Sequence, residues 1–150
     1  MRIFLIAALT GLAAACGGDD NTGPVGSLSV AGSWTASISN LNGEGASCGT
    51  SSPIQVNLRQ SGSSFTGTYS GGILTCLTAT ESFSTALGQG SVMHGEVTGS
   101  TVTFDLGNSA FHHSGTLHGS SMSGTAEWTY DFGLPLGTVT LNGGWSASKQ

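Results

Sequence analysis

Apolar and polar residues alternate with a period of two through most of the chain after residue 30. Two examples are the apolar sets Trp34, Ala36 and Ile38, and Val102, Phe104 and Leu106. A β-strand points successive side chains to opposite faces, so this alternation predicts strands that are buried on one face. Because no stretch shows the 3.6-residue period of an amphipathic helix, the chain is predicted to be all-β.

Short polar links separate these predicted strands. The links at 61–63, 99–100 and 119–120 are short enough for hairpins, and glycine at the first of two loop residues fits a type II′ turn. Residues 40–53 and 131–137 are predicted to form longer loops, while the poorly alternating stretch from about 74 to 83 is predicted to be another strand. The result is an antiparallel meander of eight or nine strands.

Glycine recurs on the predicted inner face, at Gly67, Gly95, Gly115, Gly124 and Gly143. Glycine weakens a strand, so its repeated use needs a structural reason, and the sharp coiling of a small closed β-barrel supplies one. We therefore predict a closed barrel, with a β-sandwich as the alternative. A small transmembrane barrel with its apolar face turned to lipid is a further alternative. The Gly and Ala content of that face opposes it.

The N-terminus has the features of an export signal. Met1-Arg2 precedes an apolar run over residues 3–15 that is too short for a membrane-spanning helix. Residues 12–16, Leu-Ala-Ala-Ala-Cys, resemble the lipobox of bacterial lipoproteins. This resemblance implies a signal peptide at 1–15, acylation of Cys16 and anchoring in the outer membrane of the cell envelope. The alternative is an ordinary secretory signal that is cut after Ala15.

The stretch after Cys16 is rich in Gly and Asp and resembles a lipoprotein tether. We therefore divide the chain into a signal peptide (1–15), an acylated flexible tether (16–30) and a β-barrel domain (31–150).

A short motif at the start of the first strand, Gly32-Ser33-Trp34, resembles the Gly-x-Trp of calycins, the lipocalin and avidin superfamily of up-and-down barrels. The resemblance implies that the tryptophan closes one end of the barrel, and that a basic residue from the last strand packs with it. Lys149 follows the last predicted strand and is the candidate for that role. Fold resemblance of this kind does not transfer function.

Charge excludes one class of partner. Charged residues make up 7% of the chain. Without the signal peptide, two basic residues, Arg59 and Lys149, stand against eight acidic ones, which gives a net charge of −6. Nucleic-acid binding depends on neutralising phosphates with Lys and Arg, so we predict no nucleic-acid partner.

Cys48 and Cys76 remain once Cys16 is acylated. In an oxidising compartment two cysteines most simply form one disulfide, which is worth about 3–4 kcal/mol for a loop of this length. The alternative is metal binding, and the wide spacing without a CxxC pair opposes it.

Catalytic and cofactor motifs are not found in the sequence. No serine lies in a Gly-x-Ser-x-Gly elbow between a strand and a helix, and no phosphate-binding glycine loop or metal-ligand spacing is present, so we predict no enzyme activity, cofactor or metal.

The predicted turns also pair outward-facing residues on neighbouring strands. The turn at 99–100 places His94 opposite Asp105, and the turn at 119–120 places His112 opposite Glu127. If Thr103 lies beside His112, then Glu96, His112 and Glu127 share an outward row, which we interpret as surface pairing rather than a zinc site. His113 points inward and is predicted to be a hydrogen-bonded core histidine.

Two functions remain open. The first is a lipocalin-like outer-membrane lipoprotein that binds a small apolar ligand inside the barrel, with candidate ligand-binding residues Trp34, Tyr69, Phe104, Trp128 and Trp145. The second is a surface interaction or inhibitor module with a filled barrel and a protein partner. A ligand cavity would favour the first function and a filled interior the second.

Overall fold

Nine strands make up the computed structural model, which describes residues 28–107, 111–133 and 137–150. The predicted signal peptide, Cys16 and the predicted tether up to residue 27 lie outside the described residues. The strands are β1 (Gly32–Gly43), β2 (Ala46–Ser61), β3 (Ser64–Thr78), β4 (Ser82–Ala86), β5 (Gln89–Thr98), β6 (Thr101–Leu106), β7 (Phe111–His118), β8 (Ser121–Asp131) and β9 (Thr138–Lys149).

Eight of these strands close into an antiparallel barrel, which confirms the predicted fold. The ring runs β1–β2–β3–β5–β6–β7–β8–β9 and closes where β9 pairs with β1. β4 is an additional strand that pairs with the second half of β3, while β5 pairs with the first half. The part of the chain that the structure describes contains strands and no helices, as the alternation predicted.

The apolar face of the alternating strands is the inner one. Trp34, Leu117 and Leu141 are almost completely buried inside the barrel, while the Ser and Thr residues between them are mostly exposed. Burial of the apolar face is the dominant stabilising term in such a fold. A transmembrane barrel would need the opposite arrangement, with an apolar band outside. Within the described ranges, no helix has the length and apolar character needed to span a membrane.

The predicted hairpin turns have the expected conformation. Gly62, Gly99 and Gly119 have φ values of 63°, 60° and 59°, and the serine after each of them does not have a positive φ. A positive φ at only the first of the two loop residues is the type II′ pattern. β8 ends at Asp131 and β9 begins at Thr138, in agreement with the longer loop predicted at 131–137, of which the structure describes residues 131–133 and 137.

The predicted loop at 40–53 is wrong. β1 continues to Gly43, a tight turn follows at residues 44–45, and β2 begins at Ala46. Few apolar residues occur here, so the alternation that marks a strand is absent from the sequence. The pairing of β2 with β3 supplies the order instead. Similarly, residues 74–83 are a hairpin between β3 and β4 and not a single strand.

The Cys48–Cys76 disulfide is present, as predicted. The two cysteines face each other in the β2–β3 register, with Cα atoms 4.1 Å apart, and both are buried. The disulfide joins β2 and β3 in the region where the alternation of the sequence did not predict the strands correctly. Cross-linking two strands that already pair adds stability mainly by restricting the unfolded chain.

Trp34 and Lys149 lie together, as the calycin resemblance implies. Trp34 is fully buried, and the Lys149 ammonium lies 5.5 Å from the centre of its ring. The Trp34 indole donates a hydrogen bond of 2.7 Å to the carbonyl of Val30. Val30, the last residue of the predicted tether, is itself fully buried. The architecture is therefore compatible with a calycin-like fold.

The inward glycines allow the strands to approach closely. Gly115 and Gly124 face each other across β7 and β8. A Cβ on Gly124 would lie 2.0 Å from the carbonyl oxygen of Ser114, so no larger residue fits without a backbone shift. Trp145 from β9 pairs with Gly124 and donates its indole N–H to the same carbonyl at 3.1 Å. An aromatic ring covering a glycine is a known device of curved sheets.

Candidate functional site

The predicted ligand-binding residues do not share one site. Trp34, Phe104 and Trp145 line a common small cavity in the barrel. Trp128 instead stacks with Phe111 at 5.6 Å and packs against Tyr130. Tyr69 lies outside this group, where a Cβ on Gly90 would fall 2.7 Å from its ring.

Side chains nearly fill the cavity that Trp34, Phe104 and Trp145 line. This cavity measures about 20 Å³, whereas ligand sites usually occupy about 300–1,000 Å³. A space of this size accommodates about one water molecule. Phe65 and Trp145 meet Phe104 edge to face at 6.0 and 5.2 Å, which is the preferred geometry for aromatic packing.

His113 is part of this packed interior. Its ring stacks on Phe104 with 4.7 Å between centres, and its Nδ1 lies 3.2 Å from the carbonyl oxygen of Phe111. Burial lowers the pKa of His113 to about 4, because the charged form would lose its hydration. It is thus a neutral, hydrogen-bonded core histidine, as predicted.

A much larger space lies on the outside of the barrel. It is a groove of about 610 Å³ over the outward faces of β5 to β9. Its ionisable lining residues are His94, Glu96, Asp105, His112, the buried His113 and Glu127, and its neutral polar lining includes Thr103, Ser114, Thr125 and Asn142. We call this space the outer groove. It lies within the size range of small-molecule sites.

At the centre of the outer groove, one carboxylate accepts hydrogen bonds from two imidazole rings. His94 Nδ1 lies 2.8 Å from Asp105 Oδ2, and His112 Nδ1 contacts Asp105 Oδ1. The side chain of Asp105 is 3% exposed, while those of His94 and His112 are 63% and 68% exposed. We call these three residues the His–Asp–His cluster.

Backbone geometry brings the cluster together from three strands. Asp105 and His112 are direct cross-strand partners on β6 and β7. On β5 the register shifts between Met93 and Glu96, and Met93 takes the position opposite Asp105. His94 lies in this bulge with a φ of 51°, an uncommon value for a residue other than glycine. The bulge redirects the imidazole of His94 onto Asp105.

Electrostatics keep this carboxylate ionised. Burial would raise the pKa of Asp105, but hydrogen bonds from His94 and His112, together with their charge, outweigh burial and lower it below its usual value. A buried carboxylate needs such partners, because an unpaired buried charge is costly.

Part of this site agrees with the prediction from the sequence. His94 contacts Asp105, as the turn at 99–100 predicted, although the strand register aligns Met93 with Asp105. His112 does pair with Glu127, as expected from the turn at 119–120. The conditional row of Glu96, His112 and Glu127 is wrong, because Thr103 pairs with Ser114 and not with His112. The register of β6 against β7 places Asp105 beside His112 instead, and a periodic pattern alone does not specify that register.

The chemistry of the outer groove is polar. Across the described residues, no three His, Cys, Asp or Glu side chains are grouped so that they could hold a metal ion. No family model, curated protein or solved structure matches this chain. The site is therefore interpreted from its own geometry.

Proposed function

We propose that this protein is a non-enzymatic binding module, tethered to the bacterial outer membrane, that binds a positively charged partner in its outer groove. This is the second of the two functions that the sequence left open. The partner chemistry is an ammonium or guanidinium group, carried either by a small amine or by a Lys- or Arg-containing peptide.

The observation that carries the proposal is the contrast between the two spaces. The interior cavity of about 20 Å³ is too small for a ligand, while the outer groove of about 610 Å³ is large enough for one. An apolar ligand inside the barrel would have to displace packed rings such as Phe104 and Trp145. The closed barrel is compatible with the lipocalin-like alternative, so the experiment below includes it.

Charge favours a cationic partner. Three carboxylates, Glu96, Asp105 and Glu127, line the outer groove. The basic residues Arg59 and Lys149 lie on β2 and at the end of β9, outside the lining of the groove. Complementary charge of this kind increases the rate of association and selects against anionic partners.

Location supports the same proposal. The lipobox-like segment ending at Cys16 and the polar stretch after it would hold the domain at the membrane. A tethered barrel presents its outer surface to the surrounding compartment, where soluble amines and other envelope proteins are within reach.

The test is a binding titration of the full chain in a neutral detergent. Spermidine and a Lys-Gly-Lys-Gly-Lys peptide are the cationic probes, and calorimetry measures their affinity. We expect Glu127→Gln to weaken binding severalfold. Glu81→Gln is the matched control, because it removes the same charge outside the groove and should leave the affinity within about twofold.

Each outcome has a distinct meaning. Binding of spermidine alone identifies a free amine as the partner, and binding of the peptide alone identifies a basic protein segment. The proposal fails if neither probe binds, or if both variants weaken binding equally. Native mass spectrometry of the same preparation tests the alternative. An additional mass that is lost on organic extraction would support an apolar ligand inside the barrel.

A further inference from the structure

We propose that a cavity beside Tyr69 binds a neutral saccharide, independently of the cationic partner in the outer groove. The cavity has a volume of about 470 Å³, which lies within the size range of small-molecule sites. It is lined by Thr68, Tyr69 and Ser70 of β3 and by Gln89 and Gly90 of β5. None of these residues lines the outer groove. We call this space the Tyr69 cavity.

Strand pairing and one glycine build the Tyr69 cavity. In the β3–β5 register Tyr69 is the partner of Gly90, and Ser70 is the partner of Gln89. A Cβ on Gly90 would fall 2.7 Å from the hydroxyl oxygen of Tyr69, so glycine at this position leaves room for the ring. Tyr69 is half-buried, while Thr68, Ser70 and Gln89 are exposed. The ring therefore forms one border of the cavity, and the polar side chains beside it are open to solvent.

The polar side chains of the Tyr69 cavity are available for a ligand. Within the described part of the chain, none of them forms a side-chain hydrogen bond, whereas their neighbours on β2 do. Asn57, the cross-strand partner of Thr68, accepts a hydrogen bond of 2.7 Å from Ser33. Gln55 accepts one of 2.8 Å from Gln150. Both amides on β2 are thus engaged away from β3, which leaves the groups that line the cavity without competing partners on that strand.

The lining groups determine the chemical class of the ligand. The hydroxyls of Thr68, Tyr69 and Ser70 both donate and accept hydrogen bonds, and the carboxamide of Gln89 offers N–H donors and a carbonyl acceptor. An apolar ligand would leave these groups without partners, which costs free energy. Among the described lining residues there is no Asp, Glu, Lys, Arg or His to offset the desolvation of a charged ligand.

A saccharide matches this set of groups. Its hydroxyls donate and accept hydrogen bonds, as the lining groups do, and the C–H face of a sugar ring can pack against the apolar body of Tyr69. The ring of Tyr69 also covers Gly90, which is a structural device of curved sheets. That structural role requires the ring alone. The hydroxyl of Tyr69 therefore separates ligand binding from a role in the fold.

The experiment uses the full chain in a neutral polyoxyethylene detergent, because detergents with sugar headgroups would compete with the ligand. Maltose, cellobiose and N,N′-diacetylchitobiose are the probes, and NMR titration of the backbone amides measures their affinity. We expect at least one probe to bind and to shift the amide signals of residues 68–70 and 89–90. Severalfold tighter binding of the matching hexasaccharide identifies a polysaccharide as the ligand, and equal affinity identifies a free sugar.

Two variants test the hydrogen-bonding groups. Ser70→Ala and Tyr69→Phe each remove one hydroxyl, so each should weaken binding by roughly fivefold. Tyr69→Phe keeps the ring over Gly90 and should leave the melting temperature unchanged. Ser148→Ala is the matched control, because Ser148 is an exposed serine on β9 that does not line the cavity. It should leave the affinity within about twofold of the wild type.

A third variant tests the shape of the cavity. Gly90→Ala places a methyl group against the ring of Tyr69, so the ring must move although no polar group is lost. We expect binding of the saccharide to weaken by roughly the same factor as in Tyr69→Phe. The amide shifts of the wild-type chain need no variant, so they locate the saccharide even where a variant does not fold.

Two results would overturn this inference. The first is that none of the three disaccharides binds. The second is that a disaccharide binds but shifts other amide signals, or that all three cavity variants bind it as the wild type does. Saturation with the saccharide should leave the affinity for spermidine unchanged, because the two sites share no lining residue. Either proposal can therefore fail while the other stands.

Discussion

His112 and His113 are neighbours in the sequence, yet they lie in opposite environments. The side chain of His112 is 68% exposed and contacts the carboxylate of Asp105. His113 is buried between Phe104 and Phe111, and burial lowers its pKa to about 4. The face of the strand, and not the residue type, therefore determines the environment of a histidine in this barrel. Side chains on the inner face pack against one another, and those on the outer face are exposed to solvent.

The largest expected effect comes from removing a large side chain from the inner face. Phe104→Ala removes the ring on which His113 stacks and leaves a cavity between Phe65 and Trp145. We expect the free energy of unfolding to fall by about 3–5 kcal/mol, measured by urea denaturation. Thr103→Ala on the outer face of the same strand is the matched control and should change it by no more than about 0.5 kcal/mol. Equal effects would contradict the division into two faces.

The second effect concerns pH. The unfolded chain protonates His113 near pH 6.5, but the folded protein does so only near pH 4. The contribution of the neutral His113 to the free energy of unfolding is therefore fully present above pH 6.5. It is lost as the pH drops toward 4, which lowers the free energy of unfolding by about 3 kcal/mol. Urea denaturation across this range should show that His113→Phe removes this part of the decline. A variant with the same pH dependence as the wild type would mean that His113 is not buried as a neutral ring.

A smaller effect is expected on the outer face. Asp105→Asn at pH 7 replaces the charged acceptor of two imidazoles, and we expect a loss of about 1–2 kcal/mol in urea denaturation. Glu127→Gln should change stability by no more than about 0.5 kcal/mol, because this carboxylate is exposed. If Asp105→Asn were as harmless as the control, the His–Asp–His cluster would contribute nothing to the fold.

The smallest effect is expected at the contact between the exposed Lys149 and the buried Trp34. Lys149→Gln removes the charge above the Trp34 ring, and a cation–π contact at a surface is worth about 0.5–1 kcal/mol. Thermal unfolding should show a small decrease in the melting temperature. A decrease as large as that of Phe104→Ala would mean that Lys149 does more than cover the tryptophan.

The sequence predicted the parts of the fold that depend on alternation and on glycine. It placed Trp34 and Phe104 inside, it located the turns at Gly62, Gly99 and Gly119, and it paired Cys48 with Cys76. It missed strands where apolar residues are sparse, as at residues 40–53. There, hydrogen bonding to a neighbouring strand creates order that no hydrophobic pattern marks.

The centre of the candidate site could be predicted only in part, for a different reason. Two features assemble it, namely the register of β6 against β7 and the bulge at His94. A shift of register moves every cross-strand pair, and the link between β6 and β7 is not one of the tight hairpins that specify register. The outward carboxylates and the pairing of His94 with Asp105 were therefore predicted, while the contact between Asp105 and His112 was not.

Closure of the ring also bears on association between molecules. Each of the eight barrel strands pairs on both sides, and among the described residues β4 is the strand that pairs on one side alone. It is five residues long, too short to template extended pairing with another chain. The closed ring therefore protects the protein against edge-to-edge aggregation, and a variant that opens the barrel between β1 and β9 would expose two long edges at once.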